Sequence, residues 1–387
     1  MKFPKRRSIG FSEWMNIFLL GFHSLYTGDD PGYNGQIQTK FKESFLRWFD
    51  ESHDSFLEVA GSGTNAIYVG IKALNLPPKS VVHVSPITDP GTIGAILLND
   101  LYVNILDVVS GTCGQTCLSS LKTNILPNSS GVVLIHHAGW PAQSDLFRTF
   151  CHDNHLAFFE DFSQSIGATI SGKKVGSFAD ISAASTMYRK TLATGGSGGI
   201  IFSRQEFAKS VSLHKDRGKP IWKSDFYDNF LANRDGNNVQ LAALNHNQDD
   251  LNLCIGLSSL NRLPSVIRKR VQLVHKLREH LDSSVCIPYD IDSSSPFIIP
   301  LTFSSDKLKS HVVSSFDFYQ IPCNPDYKFN VSHWDWVTPY HAGNCITPNA
   351  NTYLSRTIFL YLNERYEFSH IRSISNVVNN SILNFQG

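Results

Sequence analysis

The chain has 387 residues, a formal net charge of +1, 17% charged residues and 12% aromatic residues. That length exceeds one small core and predicts two domains, or one large α/β domain with an appendage. A net charge this small gives no bulk electrostatic reason for a nucleic-acid or membrane-surface partner, and the aromatic content favours a large buried interior or a subunit interface over disorder.

The N-terminus opens with the bases Lys2, Lys5, Arg6 and Arg7 and runs into an apolar stretch at 15–22. Glu13 precedes that stretch, Gly21 and His23 interrupt or end it, and no small-residue cleavage site follows. These features speak against a secretory signal. The expectation is an amphipathic helix packed on the body or on a partner subunit. No stretch approaches membrane-spanning length. Seven cysteines stand at irregular spacing, and Cys113 and Cys117 lack a second pair to complete a zinc site. All seven read as reduced thiols in a cytoplasmic protein, with no metal site expected.

Short apolar runs at 56–60, 81–85, 102–107, 131–136, 156–160, 181–185 and 199–202 alternate with helical patterns at 64–74, 91–98, 117–123 and 144–153. The runs do not alternate cleanly with polar residues, as expected of strands buried on both faces. This predicts an α/β fold with a mostly parallel central sheet flanked by helices. A polar stretch at 215–247 contains the turn composition Asp235-Gly236-Asn237-Asn238. A stretch of that length without structure is usually functional or contacts a partner. Two helices are expected next, at 249–260 and 264–281, with Pro264 in the first turn of the second. The domain boundary falls near Asp282. Residues 1–282 form an N-terminal arm and a large domain, and 283–387 a smaller α+β domain. In the latter, 297–303 and 357–362 read as strands, 306–316 and 366–382 as helices.

Three places carry chemistry. Asp161 ends the apolar strand at 156–160, where ligands bind in such sheets, and Gln164 follows three residues on. Alone, Asp161 reads more simply as the cap of a following helix, with Gln164 in solvent. The turn Gly61-Ser62-Gly63-Thr64 enters a helix and offers free N–H groups and a positive dipole end to a phosphate. It lacks the lysine of a P-loop and the third glycine of a dinucleotide fingerprint, so an ordinary capped helix start fits as well. Lys190 sits among small, mostly uncharged residues before the glycine run at 195–199. Desolvation and the neighbouring Arg189 cation would lower its pKa, and Ser185 lies five residues before it. Lys190 alone is more simply a loop lysine. In this order the pieces describe a site for pyridoxal 5'-phosphate (PLP). The turn can hold phosphate, Asp161 can hold the pyridine nitrogen, Gln164 can reach the ring hydroxyl, and Lys190 can form the Schiff base.

Together these residues resemble the DegT-type sugar aminotransferases, a group of fold type I PLP enzymes. The likeness runs from about 55 to 260, with a weaker echo to the end. It is carried by Gly-Ser-Gly-Thr-Asn-Ala at 61–66, His-His-Ala-Gly-Trp-Pro-Ala at 136–142, Glu-Asp-Phe-Ser-Gln at 160–164, the segment 172–181, the spacing of Ser185 and Lys190, Asp250-Leu251, and Ile255-Gly256-Leu257. The resemblance implies a cofactor alternating between PLP and pyridoxamine phosphate (PMP), with Lys190 and Asp161 catalytic. It implies cofactor contacts from Gly63, Thr64, Asp89, Gln164 and Ser185. It also implies a homodimer with shared active sites, in which Asn245 or Asn247 reaches the neighbour's phosphate; Asn247 stands where many members have arginine.

Two departures bear on substrate. Asp89 stands where many members stack an aromatic on the cofactor ring, so it touches the imine or substrate, or another residue covers the ring. Ser197 replaces an acidic residue of the glycine run. The implied reaction moves an amino group from L-glutamate to a nucleotide-linked keto sugar, ping-pong, with Lys190 carrying the proton. A keto-cyclitol substrate, or a PLP-binding sensor without turnover, are the alternatives. Lysine instead of histidine at 190 speaks against the dehydrating relatives. Tyr33, His333, Tyr340, His341 and Arg356 are candidates for the substrate pocket, each more simply structural.

Overall fold

Two helices, α1 (Phe11–Thr27) and α2 (Gln36–Phe49), precede an alternation of strands and helices. In chain order these are β1 (Ser55–Ala60), α3 (Gly63–Ala73), β2 (Val81–Val84), α4 (Pro90–Leu97), β3 (Tyr102–Ile105), β4 (Val108–Ser110), β5 (Cys113–Thr116), α5 (Leu118–Thr123), β6 (Ser129–Ile135), α6 (Ser144–Asp153), β7 (Ala157–Asp161), β8 (Thr169–Ile170), β9 (Lys173–Lys174), β10 (Ile181–Ser185), β11 (Gly199–Arg204) and α7 (Ala208–Lys215). This computed structural model describes residues 2–6, 9–49, 54–222 and 238–385.

The apolar runs assemble into a seven-stranded sheet of order β1-β11-β10-β7-β6-β2-β3. The pairs β3–β2, β2–β6, β6–β7 and β7–β10 are parallel. β11 runs antiparallel to both its neighbours, β10 and β1. The sheet is therefore mostly parallel, and the carboxyl ends of β1, β2, β6, β7 and β10 share one edge. Such an edge is where open α/β sheets bind ligands. α2, which the sequence reading passed over, places Phe41, Phe45 and Phe49 four residues apart on one buried face, packed with Leu57, Val59 and Phe202.

The helical patterns at 249–260 and 264–281 prove to be one helix, α8 (Asp250–His280), with Pro264 inside it. Proline removes a hydrogen bond and costs roughly 3 kcal/mol in a helix interior. Burial on both sides of it offsets this loss. Leu253, Leu260 and Leu263 pack into the core of the large sheet, and Leu273, Val274 and Leu277 into the C-terminal core. That second core covers an antiparallel sheet of β12 (Ile299–Thr302), β13 (Cys323–Asn324) and β14 (Thr357–Leu360), with β14 in the middle. Helices α9 (Asp306–Tyr319), α10 (Pro348–Arg356) and α11 (Phe368–Leu383) complete it. Phe3, from the start of the chain, also packs against this core. Of the turn expected at 235–238, residues 235–237 lie outside the described residues.

One charge cluster is buried beneath β1. Glu58 accepts from Lys215 Nζ at 3.0 Å and from Lys42 Nζ at 2.8 Å, and Lys215 is fully enclosed. Burial pushes the Glu58 carboxyl up, but the two ammonium groups outweigh it and hold its pKa down at about 2. A depressed carboxyl stabilises the fold fully above its unfolded pKa, and the effect disappears as pH falls through the folded value. Urea midpoints should therefore fall between pH 4.5 and about 2, and less steeply in Glu58→Gln. That variant, measured near neutral pH, should lose about 3–5 kcal/mol, because Lys215 would stay buried without its counter-ion.

Candidate active site

A cleft of about 670 Å³, counted to its open mouth, lies at the carboxyl edge of the sheet. It collects Ser62, Gly63 and Thr64 from the β1–α3 turn, Asp89 and Thr92 from the start of α4, Asp161, Ser163 and Gln164 from the end of β7, and Ser185, Lys190 and Ser197 from the segment between β10 and β11. Gly63, Thr64, Asp89, Asp161, Gln164, Ser185 and Lys190, the residues expected from the sequence to share one site, all line this cleft.

The β1–α3 turn is built for close approach. Ser62 caps α3 by accepting from the Asn65 N–H at 3.1 Å. The N–H groups of Gly63 and Thr64 precede the first intrahelical bonds and sit at the positive end of the dipole. A Cβ on Gly63 would lie 2.5 Å from Ser185 Cβ. Glycine is thus required for α3 to pack on the end of β10.

Asp161 is 4% exposed. Its Oδ2 accepts from Thr92 Oγ1 at 2.8 Å and its Oδ1 from the Ser163 N–H at 3.0 Å. Both donors are neutral, and together they fix the orientation of the carboxyl group. Behind it, Glu160 accepts from His136 Nε2 at 3.0 Å and from Ser144. Burial alone would raise Glu160, but these donors hold it below the usual carboxyl range. Gln164 accepts from the Ala138 N–H at 2.8 Å, and its Nε2 lies 3.5 Å from Tyr327 Oη. Asp89 caps α4 by accepting from Gly91 N–H at 2.9 Å.

Lys190 stands in a loop closed at its base by Thr194 N–H donating to Thr186 O at 2.8 Å and by the paired hydroxyls of Thr186 and Thr194. Gly198, at φ +155°, lets the return strand pass; a Cβ there would collide with Thr194 and Gln248 and lie 2.6 Å from Thr186 Oγ1. The Lys190 ammonium lies 4.7 Å from the centre of the Phe297 ring. Burial of this amine pushes its pKa below the ordinary 10.5, Asp161 and Asp89 oppose the shift, and Arg6 adds to it.

Arg6 had no signal in the sequence. It donates to Arg189 O and Leu362 O, each at 2.9 Å, and to Phe297 O. Arg270 donates to Thr191 Oγ1 at 3.3 Å and Pro296 O at 3.1 Å and pairs with Glu364 at 2.7 Å. The lysine loop is thus clamped to the C-terminal domain from behind. Thr92, Phe297 and Tyr327 were likewise missed. They approach from distant parts of the chain, and nothing local marks them.

Asn245 and Asn247 do not join this chain's cleft. The Asn247 N–H and Nδ2 donate to Asn245 Oδ1 at 3.2 and 2.8 Å. Asn247 Oδ1 is buried without a partner. The segment lies against Gly61, whose N–H donates to His246 O at 2.9 Å. Tyr33, His333, Tyr340, His341 and Arg356 are also outside the residues lining the cleft. Tyr33 accepts from Arg217 and Tyr340 faces Tyr102.

Comparison with known proteins agrees with this arrangement. Over 248 residues the chain is 24% identical to GDP-perosamine synthase of Vibrio cholerae, covering 64% of this chain and 63% of that one. It is 22% identical over 245 residues to the UDP-4-amino-4,6-dideoxy-N-acetyl-beta-L-altrosamine transaminase of Campylobacter jejuni, covering 62% and 60%. The match thus spans under two thirds of either relative. An aminotransferase structure from Psychrobacter cryohalolentis superposes over 100% of both chains with a TM-score of 0.85 at 19% identity, a likeness of fold. The family model of the DegT/DnrJ/EryC1/StrS aminotransferases matches residues 30–379, and the chain belongs to that family.

Proposed function

We propose that the protein is a PLP-dependent aminotransferase that passes an amino group from L-glutamate to a nucleotide-linked keto sugar by a ping-pong route. The observation that carries this reading is the meeting of a buried carboxylate, a desolvated lysine and a glycine-edged helix start in one cleft. The residues present fit the cofactor. The first amides of α3, with Ser185, offer donors to a phosphate. Asp161 offers a carboxylate, oriented by two neutral donors, to a ring N–H. Lys190 offers an amine whose pKa partial burial lowers. Asp89 is engaged with Gly91. It serves the site as a helix cap and a charge near Lys190, in place of a stacking ring. Family membership and the nucleotide-sugar names of the two relatives support the substrate class. The same reading includes a homodimer with shared sites, in which Asn245 or Asn247 serves the neighbour's phosphate, and a cytoplasmic location.

Bound PLP supplies the electron sink that makes a carbon–hydrogen bond of the donor acidic. The protein does the rest. Asp161 would hold the protonated ring nitrogen. Lys190 Nζ would hold the cofactor, and as a free amine it would take up and return the proton that moves at the donor carbon. A depressed pKa suits it to that task, because more of the amine is free at neutral pH.

Four measurements test this. Wild-type protein with PLP should show a visible absorption band that fades on adding L-glutamate. Lys190→Ala should show no such lysine-linked band and should lose turnover by at least about 10²–10⁴-fold; full activity in that variant would sink the mechanism. In the PLP-free protein, acetylation of Lys190 followed against pH by mass spectrometry should titrate below 10.5. Asp161→Asn should lower that midpoint further, because the carboxylate opposes the shift. Gly63→Val should weaken PLP binding at least tenfold in a fluorescence titration, since its Cβ must displace Ser185.

A further inference from the structure

Lys190 forms part of the wall between two spaces. In front is the cleft, where the carboxyl groups of Asp161 and Asp89 act on its amine. Behind is a smaller space of about 290 Å³, counted to its mouth, lined by Thr191, Arg6, Arg262, Arg270 and Glu364. The two sides differ in charge, with carboxyl groups in front and three guanidinium groups against one carboxyl group behind. Arg262 is paired with Glu13 and Arg270 with Glu364. Arg6 donates instead to the carbonyls of Arg189, Phe297 and Leu362, so no ion pair among the described residues meets its charge.

The residues before Arg6 fix its place. The Phe3 ring stacks on Tyr366 with centres 6.0 Å apart. Pro4 O accepts from Asn363 Nδ2 at 3.0 Å, and Lys5 O accepts from Arg365 at 3.3 Å. Residues 3–5 have no helix or strand of their own, and these contacts hold them on the C-terminal domain. They deliver Arg6 to the rear of the lysine loop, where its planar fork can span several carbonyls. The Arg6 guanidinium carbon lies 4.9 Å from the centre of the Phe297 ring, and Lys190 Nζ lies 4.7 Å from the same centre. One aromatic ring thus serves both cations.

We propose that Arg6 is a positioning residue for Lys190. It ties the carbonyl next to the lysine to the C-terminal domain and sets a positive charge behind the loop, so that the lysine amine is directed forward into the cleft. Like charges disfavour an ammonium at the rear, and Asp161 and Asp89 favour it in front. Burial is the largest cause of the lowered Lys190 pKa, and the Arg6 cation adds to it. The charged and titratable groups around Arg6 itself are Arg270, Glu364, Tyr366 and Arg189. Of these Glu364 is the one carboxyl group, and Arg270 engages it at 2.7 Å. A part for Arg6 in turnover rests on the aminotransferase reading; the placing of the amine does not, because it can be read in the PLP-free protein.

The test compares full-length Arg6→Gln, Arg6→Lys and Lys5→Gln with the wild-type chain, all free of PLP. Acetylation of Lys190 is followed against pH by mass spectrometry. Hydrogen exchange is followed at the amides of Lys190 and Thr194, which donate to Met187 O and Thr186 O within the loop. Arg6→Gln removes the charge and part of the grip. The Lys190 midpoint should rise, and both amides should exchange at least about tenfold faster. Arg6→Lys keeps the charge but loses the fork, so its midpoint should stay near that of the wild type while the amides still exchange faster. Lys5→Gln removes a charge from an exposed side chain of the same stretch and should change neither. Loaded with PLP, Arg6→Gln should lose at least about tenfold in kcat with a smaller change in KM, because small misplacements near a reacting atom are costly. Arg6→Lys should recover part of that loss. A purely structural role would lower the melting temperature of Arg6→Gln and leave the Lys190 midpoint of the folded protein where it was. That result, an equal midpoint shift in Lys5→Gln, or unchanged amide exchange in Arg6→Lys would each overturn the inference. If Arg6→Gln does not fold, the exchange in Arg6→Lys still decides it. The expected shifts in a chain that turns over no amino donor would keep this inference and sink the aminotransferase reading.

Discussion

The site depends on how β7 ends. A carboxylate withdrawn from solvent is expensive unless its lone pairs are met, and Asp161 meets them with a hydroxyl from α4 and an N–H from its own turn. The carboxylate faces Lys190, where it works against the lowering of the amine's pKa by desolvation and by the Arg6 cation. The two groups line one cleft, and their supports come from different strands of one sheet. The parallel arrangement matters here because it brings those strand ends to a single edge.

Residues that end strands were legible in the sequence. Asp161, Ser185 and Gly63 each lie at or just beyond a strand end, and a local pattern of apolar run followed by small or acidic residue marks such places. The direction of β11 was not legible. Its run at 199–202 has the same apolar composition as its parallel neighbours, and composition does not distinguish a strand that returns from one that continues. Pro264 misled for a related reason. The local rule that proline starts a helix is sound, but packing against two cores overrode it. Arg6, Phe297 and Tyr327 could not be found by any local rule, since their contacts cross most of the chain's length.

The N-terminal helix shows another limit of periodicity. An apolar stripe at helical spacing identifies a face but does not say which way the face points. In α1 the side with Glu13 and Asn16 finds ionic and hydrogen-bonding partners on α8, so the greasier side is left outside. In α2 the same kind of pattern turns inward, and its three phenylalanines fill the space beside β1.

Arg6 joins the beginning of the chain to carbonyls at 189, 297 and 362. On the ribosome, therefore, the lysine loop cannot be braced when it first emerges. Its clamp needs Arg6 and Leu362, which are 356 residues apart. The large sheet can therefore form before that clamp closes, and the loop that carries Lys190 is braced only once the C-terminal strands have been made.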